Sequence, residues 1–417
     1  MLASLDLATL QAALSADGSP GLAGRRFLIV TAPFGPFSRH LARAIRGRGG
    51  EVSRMLFNAG DLMDWGRRDA IWFNEPVRAW PRRLAGLLQD FTDVVVFGEG
   101  GQYNQAVISH GEALGARVWV LENGYFRPHW ITVERNGVNG RSALPSTALA
   151  YRDPPPETHV IHPAGKILPH HVWNLSAYHL IQLPGRVLFP QYERPYTQAP
   201  WLQCAGHIAR AFRLLFRSRR ALDADVIGRR GPYFLACLQR EGDATLLRYS
   251  PLRTNEAFIA AVMDSFAAHA RLEDRLVIKN HPLDPGLINY ARMVRRMAAE
   301  RGLTRRVDFI DGGNLSQLCR ASRGMVVNNS TAALAAMGFH TPVKLLGRAF
   351  FDFDGLSDQQ PLERFWIHPK AADPDLFARF RDHVIAKTQI NGNFHEPAAL
   401  TRTSQALTAV FEATEPA

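Results

Sequence analysis

The sequence predicts an α/β protein built from two tandem, doubly wound, Rossmann-like domains, and three observations predict it. Short apolar runs of strand length alternate with helical segments, and this happens twice along the chain. Such alternation is the signature of βαβ units and of parallel sheets covered on both faces. Between the two stretches lies a Pro-rich and Arg-rich interruption at 151–230. Finally, 417 residues are too many for one ordinary core and suit two.

The first 24 residues include "MLASLDLATLQAALSADGSPG", which reads as a short amphipathic helix ended by a Ser-Pro-Gly breaker. The segment lacks the basic flank and solid apolar block of a secretory signal. A first domain is expected over 25–150. Its strands are "RFLIVTA" (26–32), "EVSRMLF" (51–57), "DVVVFGE" (93–99) and "RVWVLE" (117–122), with helical patterns between them. The region 151–230 contains "DPPPE" and a helical, Arg-rich stretch, "AGHIARAFRLLFRSRRAL", and reads as a helical and Pro-rich connection. Alternation resumes over 231–370 with "YFLACLQ", "RLVIKNHP", "RVDFID", "GMVVNN" and "PVKLLG" as strands. Residues 371–417 read as C-terminal helices, beginning with "DPDLFARFRDHVIAKTQ".

The net charge of +11 favours anionic partners. Arginines come in pairs, as at Arg25-Arg26, Arg67-Arg68, Arg82-Arg83, Arg219-Arg220, Arg229-Arg230, Arg295-Arg296 and Arg305-Arg306. Solvated helix faces would account for any one pair, but together they suggest a broad positive surface. No nucleic-acid module's signature accompanies them, so an anionic lipid leaflet is favoured over DNA or RNA. Cys204, Cys237 and Cys319 are scattered and odd in number, which suits a reducing compartment. No run approaches the roughly 20 apolar residues that span a bilayer.

Ligands of doubly wound sheets bind beyond the carboxyl ends of the strands, and the unusual motifs all fall there. "VIKNHPLDPG" ends a strand with Lys279, Asn280, His281 and Pro282. It is either a polar strand exit or a site where His281 meets a leaving phosphate beside Lys279. "NNSTAALAAMGF" puts Ser330 and Thr331 at a helix start, as ordinary N-caps or as phosphate ligands. "FIDGGNLSQL" offers Asp311 and Gly312 as a tight turn or a nucleoside contact. In the first half, "TAPFGPF" and "FGEGGQYN" supply Gly35, Pro36 and Glu99 as pocket candidates. "LENGYFRPHWITVERNGVNGRSALP" brings Glu122, Asn123 and Arg127 to the sheet's ligand edge, with a turn at Asn139-Gly140. No GxGxxG, Walker or metal-ligand pattern is present, so nicotinamide and P-loop enzymes are disfavoured.

Three of these segments, "LENGYFRPHWITVERNGVNGRSALP", "KNHPLDPG" and "VNNSTAALAAMGFHTPVKLLGRA", together with "GLSDQQPLERFW", resemble capsule polysaccharide biosynthesis proteins of the KpsS/KpsC (LipB/LipA) type. The likeness runs from about residue 25 to 395 and is greater on the KpsS side, through "GYFRP", "GVNG" and "LP". The resemblance implies a GT-B-like glycosyltransferase with two domains facing across a cleft. It implies transfer of β-Kdo from CMP-Kdo to a phosphatidylglycerol-type lipid, without a metal or other cofactor. The work would be done as a peripheral protein at the cytoplasmic face of the inner membrane, alongside other capsule assembly proteins. CMP would be held by Gln239, Lys279, Asn280, His281, Pro282, Asp311, Gly312, Asn329, Ser330 and Thr331. Gly35, Pro36, Glu99 and Arg127 would meet sugar or acceptor.

One departure bears on activity. The family typically carries two adjacent acids before the glycine, where this chain has Glu122, Asn123 and Gly124. A retaining enzyme with a covalent intermediate needs a carboxylate nucleophile. Glu122 takes over that role, or the amide is an engineered replacement, or the chain follows another mechanism or has lost activity. A non-catalytic lipid- or glycan-binding assembly protein and a transferase of another nucleotide sugar are the competing readings. His129 also departs, standing where the family usually has Asp.

Overall fold

The computed structural model describes residues 21–154, 161–163, 165–194, 200–215 and 227–413. Most of the expected amphipathic extension, and the Arg219-Arg220 pair, lie outside them. The strands in chain order are β1 (Arg26–Ile29), β2 (Glu51–Leu56), β3 (Ala70–Trp72), β4 (Asp93–Phe97), β5 (Arg117–Asn123) and β6 (Trp130–Arg135), followed by β7 (Tyr233–Cys237), β8 (Arg275–Lys279), β9 (Val307–Ile310), β10 (Gly324–Val327), β11 (Val343–Leu345) and β12 (Gln389–Asn391). They form two sheets, and the chain divides into two compact units.

The first unit comprises residues 1–143, 155–195 and 381–417. Its sheet has the order β12-β6-β5-β4-β1-β2-β3, with β1 to β5 mutually parallel and β6 antiparallel to both β5 and β12. Successive strand residues point to opposite faces. Phe27, Ile29, Val95, Trp119 and Leu121 accordingly enter one apolar layer, and Leu28, Val30, Val94, Val96 and Val118 the other. That is why these strands read as continuous apolar runs. At the base of the sheet Asp93 is fully buried between Arg25 and Arg117. Burial pushes its carboxyl up, but bonds from Arg25, Arg117, Trp119 and Thr92 hold it below its ordinary value.

The second unit comprises 144–154 and 196–380 and holds a wholly parallel sheet, β11-β10-β7-β8-β9. Its three central strands, β7, β8 and β10, are buried on both sides. Both units share one winding. The chain starts in a central strand, runs outward for two more, then returns to the other side of the first. The switch points fall between β1 and β4 and between β7 and β10, where doubly wound sheets bind ligands.

The two segments read as lying outside the two domains are taken up by the units. The 151–230 region is not a free connection. Its helix Ile167–Gly185 packs on the helix Ala59–Trp65 of the first unit. The Tyr178 ring covers Gly60, and its hydroxyl donates to Asp61 Oδ1 at 2.9 Å. The helix Pro200–Leu215 belongs instead to the second unit. Residues 371–417 carry two helices, as expected, and one further strand. The helix Pro374–Thr388 leads into β12, and helix Pro397–Glu412 sinks Leu407 and Phe411 into the first unit's core.

Candidate active site

At the first switch point the Thr31 hydroxyl accepts the Phe97 amide at 2.9 Å and donates to Asn104 Oδ1 at 2.7 Å. Asn104 donates to the carbonyls of Phe97 and Gly98 at 2.8 and 2.9 Å, which fixes the Gly-Glu-Gly-Gly turn. Gly98 there has φ of 74°, the left-handed region that L side chains avoid. Glu122, on the neighbouring β5, extends over this glycine, where an added Cβ would stand 3.2 Å from Oε2. Its Oε1 accepts the Asn123 amide at 2.9 Å and the Asn123 Nδ2 at 3.4 Å. Glu122 is half-buried and Asn123 exposed. Arg127 is exposed too, its Nε donating to the Gly124 carbonyl at 3.3 Å.

Other predicted residues have partners inside the unit. Glu99 is buried, and its Oε1 accepts the Val138 amide at 2.5 Å, fastening the Gly-Val-Asn-Gly loop. The Gly35 amide donates to Asp64 Oδ2 at 2.8 Å, and the Asn174 side chain covers its α-carbon. Asp64's carboxyl is pushed up to about 6, chiefly by burial. Pro36 leads into the helix Phe37–Gly47.

Glu134 and Tyr125, which sequence reasoning did not single out, lie close to this edge. The Tyr125 hydroxyl donates to Glu134 Oε1 at 2.6 Å and accepts the Asn139 amide at 2.8 Å. Ser142 donates to the other Glu134 oxygen. Burial, followed by the charge of Glu99, raises the Glu134 carboxyl to about 7. Burial and then Glu134 push the Tyr125 hydroxyl well above its ordinary value, and Glu122 adds to this.

In the second unit, Gln239 after β7 and Asn329 after β10 meet at the switch point. Gln239 Nε2 donates to Asn329 Oδ1 at 2.9 Å, and the Asn329 amide donates back to Gln239 Oε1 at 3.2 Å. One strand over, Asn280 Nδ2 donates to Asp311 Oδ1 at 3.0 Å and to Asp284 Oδ2 at 3.1 Å. Its Oδ1 accepts the His281 amide at 2.9 Å. His281 Nδ1 accepts the Leu283 amide at 3.1 Å, and Pro282 is exposed. Lys279 is buried, and burial pulls its ammonium below the ordinary lysine value. Its Nζ donates to the Asn280 carbonyl at 3.4 Å. Gly312 has φ of 136°. The Ser330 hydroxyl accepts the Ala332 amide at 3.2 Å, a local cap, while Thr331 opens the six-residue helix Ala332–Met337 without one.

The residue that organises this edge is Arg210, on the helix Pro200–Leu215. Its guanidinium donates to Asp311 at 2.6 Å and to the carbonyls of Pro282, Asp284 and His281 at 2.7, 2.6 and 3.2 Å. Gly206, one turn earlier, packs against the Pro285 carbonyl. Gly206 and Arg210, four apart and so on one helix face, are both buried, and only the tertiary contact shows it. Among the described residues no group of three or more His, Cys, Asp and Glu could hold a metal. No helix among them is long and apolar enough to cross a membrane.

Doubly wound units with carboxylate, histidine and amide groups gathered at the carboxyl ends of their strands define a ligand-handling α/β protein. The chain belongs to the capsule polysaccharide biosynthesis protein family, whose sequence pattern matches residues 92–395. It is 30% identical to the capsule polysaccharide export protein KpsS of Escherichia coli over 384 residues, covering 90% of this chain and 98% of that one. To the capsule polysaccharide modification protein LipB of Neisseria meningitidis it is 32% identical over 393 residues, covering 88% and 91%. Among solved structures it is similar to the β-Kdo 2,7 transferase of Thermosulfurimonas dismutans KpsC, at 13% identity and TM-score 0.45, covering 93% and 98%.

Proposed function

We propose that this chain is a glycosyltransferase of capsule assembly, moving Kdo from CMP-Kdo to an anionic lipid acceptor as a peripheral protein of the inner membrane's cytoplasmic face. The observation that carries this reading is the Glu122 carboxylate, half-buried beside the glycine turn of the first sheet's switch point. On this reading Glu122 attacks or stabilises the anomeric carbon. In the second unit, His281 Nε2 hydrogen-bonds or protonates the departing phosphate. Asn280 and Arg210 hold its loop in place. Gln239, Asn329, Ser330, Thr331 and Gly312 would border the nucleotide, and Arg127 the acidic sugar or acceptor. No metal is required in this scheme. A net charge of +11 suits a donor, an acceptor and a membrane that are all anionic.

The test is CMP release from CMP-Kdo in the presence of a lipid acceptor. Glu122→Gln and His281→Ala should each lower kcat by at least about a hundredfold, while UDP- and GDP-sugars remain unused. Full activity in either variant would remove that residue's assigned chemistry.

The amide at 123 supports a second reading, in which the chain binds a lipid or glycan without transferring sugar. Asn123 is exposed and donates to Glu122, so two acids at 122 and 123 would repel where this pair attracts. An inactive parent that gains transferase activity as Asn123→Asp would establish a disarmed enzyme. An inactive parent that gains nothing would favour the binding role.

A further inference from the structure

The helix Ile167–Gly185 has two faces with different fates. One is built into the first unit: Tyr178 and Gln182 bond Asn58, and Gly185 rests on Ala59. The other is apolar and open. Leu168, Val172, Trp173, Leu180 and Leu183 are all exposed along it, Trp173 at 73%, and Val187 just beyond the helix at 86%. An apolar stripe of this kind on a protein surface marks an interaction site.

We infer that this stripe is the face through which the protein docks on an anionic bilayer, lying in the headgroup region rather than crossing it. The inference rests on the proposed lipid acceptor and adds the surface that reaches it. Charge selects the bilayer over an apolar protein partner. From Lys166 through Tyr192 there is no Asp or Glu, and exposed Lys166 and Arg186 bracket the helix. Cations beside a stripe of Trp and Leu are what an interfacial helix offers to anionic headgroups. The helix is too polar to insert across the bilayer, since no described helix qualifies as a span. Its anchored face must also stay on the protein. The helix Pro200–Leu215 of the second unit likewise exposes Trp201, Ile208 and Phe212.

Flotation with vesicles of phosphatidylglycerol and phosphatidylethanolamine, against vesicles of phosphatidylcholine alone, tests this. The parent should bind the anionic vesicles preferentially, and added salt should weaken binding. The double variant Trp173→Ser/Leu180→Ser should bind about tenfold less, with unchanged thermal unfolding and elution volume. A control, Leu272→Ser, alters a still more exposed leucine outside the stripe and should bind like the parent. Transfer to a vesicle-borne acceptor should fall in the double variant, and transfer to a water-soluble one should not. Equal binding of parent and double variant overturns the inference. So does a parent that ignores vesicles but elutes as a dimer which the double variant splits, because a second copy would then cover the stripe. If the parent transfers no sugar at all, the enzymatic reading fails while the vesicle measurements still decide the docking face.

Discussion

Glu134 shows how one buried side chain can set the pH response near a candidate site. Its carboxyl titrates at about 7 in the fold, against an ordinary value of 4.5. Between those two values the native state holds a proton that the unfolded chain has released. Stability therefore falls as pH rises through this window, and is regained below it. Glu134→Gln keeps an acceptor for Tyr125, turns an amide donor toward the Ser142 hydroxyl that now donates to Glu134, and has nothing to titrate. Urea unfolding at both ends of the window should show the variant gaining on the parent at the higher pH by about 2–3 kcal/mol. An identical pH dependence in both would disprove it. In the sequence Glu134 is one acid in "ITVERN", without a sign that a tyrosine would cover it. Arg210 was hidden similarly, since arginine on a helix usually means solvent. Glu122, His281 and Asn329 were legible because each interrupts an apolar strand at its carboxyl end.

At the scale of elements, the β5–β6 hairpin explains the glycine of the Glu-Asn-Gly step. Gly124 donates its amide to the Trp130 carbonyl at 3.0 Å, and a Cβ on it would overlap that same oxygen. The obstacle is backbone, so it cannot swing aside. Gly124→Ala should cost about 2–3 kcal/mol, read from chemical unfolding, and should displace Glu122 and Asn123 with it. A variant as stable as the parent would mean that the hairpin is looser than described. The β1, β2, β4 and β5 runs, and those of β7 to β11, were apparent as short, mainly apolar runs between turn residues, most plainly in β7, β8 and β10, which are buried on both faces. Three strands were not. β3 is short and partly exposed, β6 carries charge at its end, and β12 has only three residues.

The first unit depends on the segment from Gln389 to Glu412. A chain ending at Thr388 would lose β12 and the final helix, and with them Ile390, Phe394, Leu400, Leu407 and Phe411 from the first unit's core. At roughly 2 kcal/mol for each buried side chain, the loss is about 10 kcal/mol. That rivals the entire stability of a typical domain. Calorimetry of the truncated protein should show the first unit's transition gone. A surviving transition at the original temperature would contradict the role given to this segment.

The sequence by itself determined the two windings, the places where they end in polar loops and the family to which the chain belongs. Local pattern suffices for these, because strand burial and turn chemistry are written in neighbouring residues. Tertiary structure alone decided that the final helix returns to the first unit, that Arg210 clasps the His281 loop, and that Glu134 is shut in beneath Tyr125. These depend on contacts between residues distant in the chain, which periodicity within a short window does not encode.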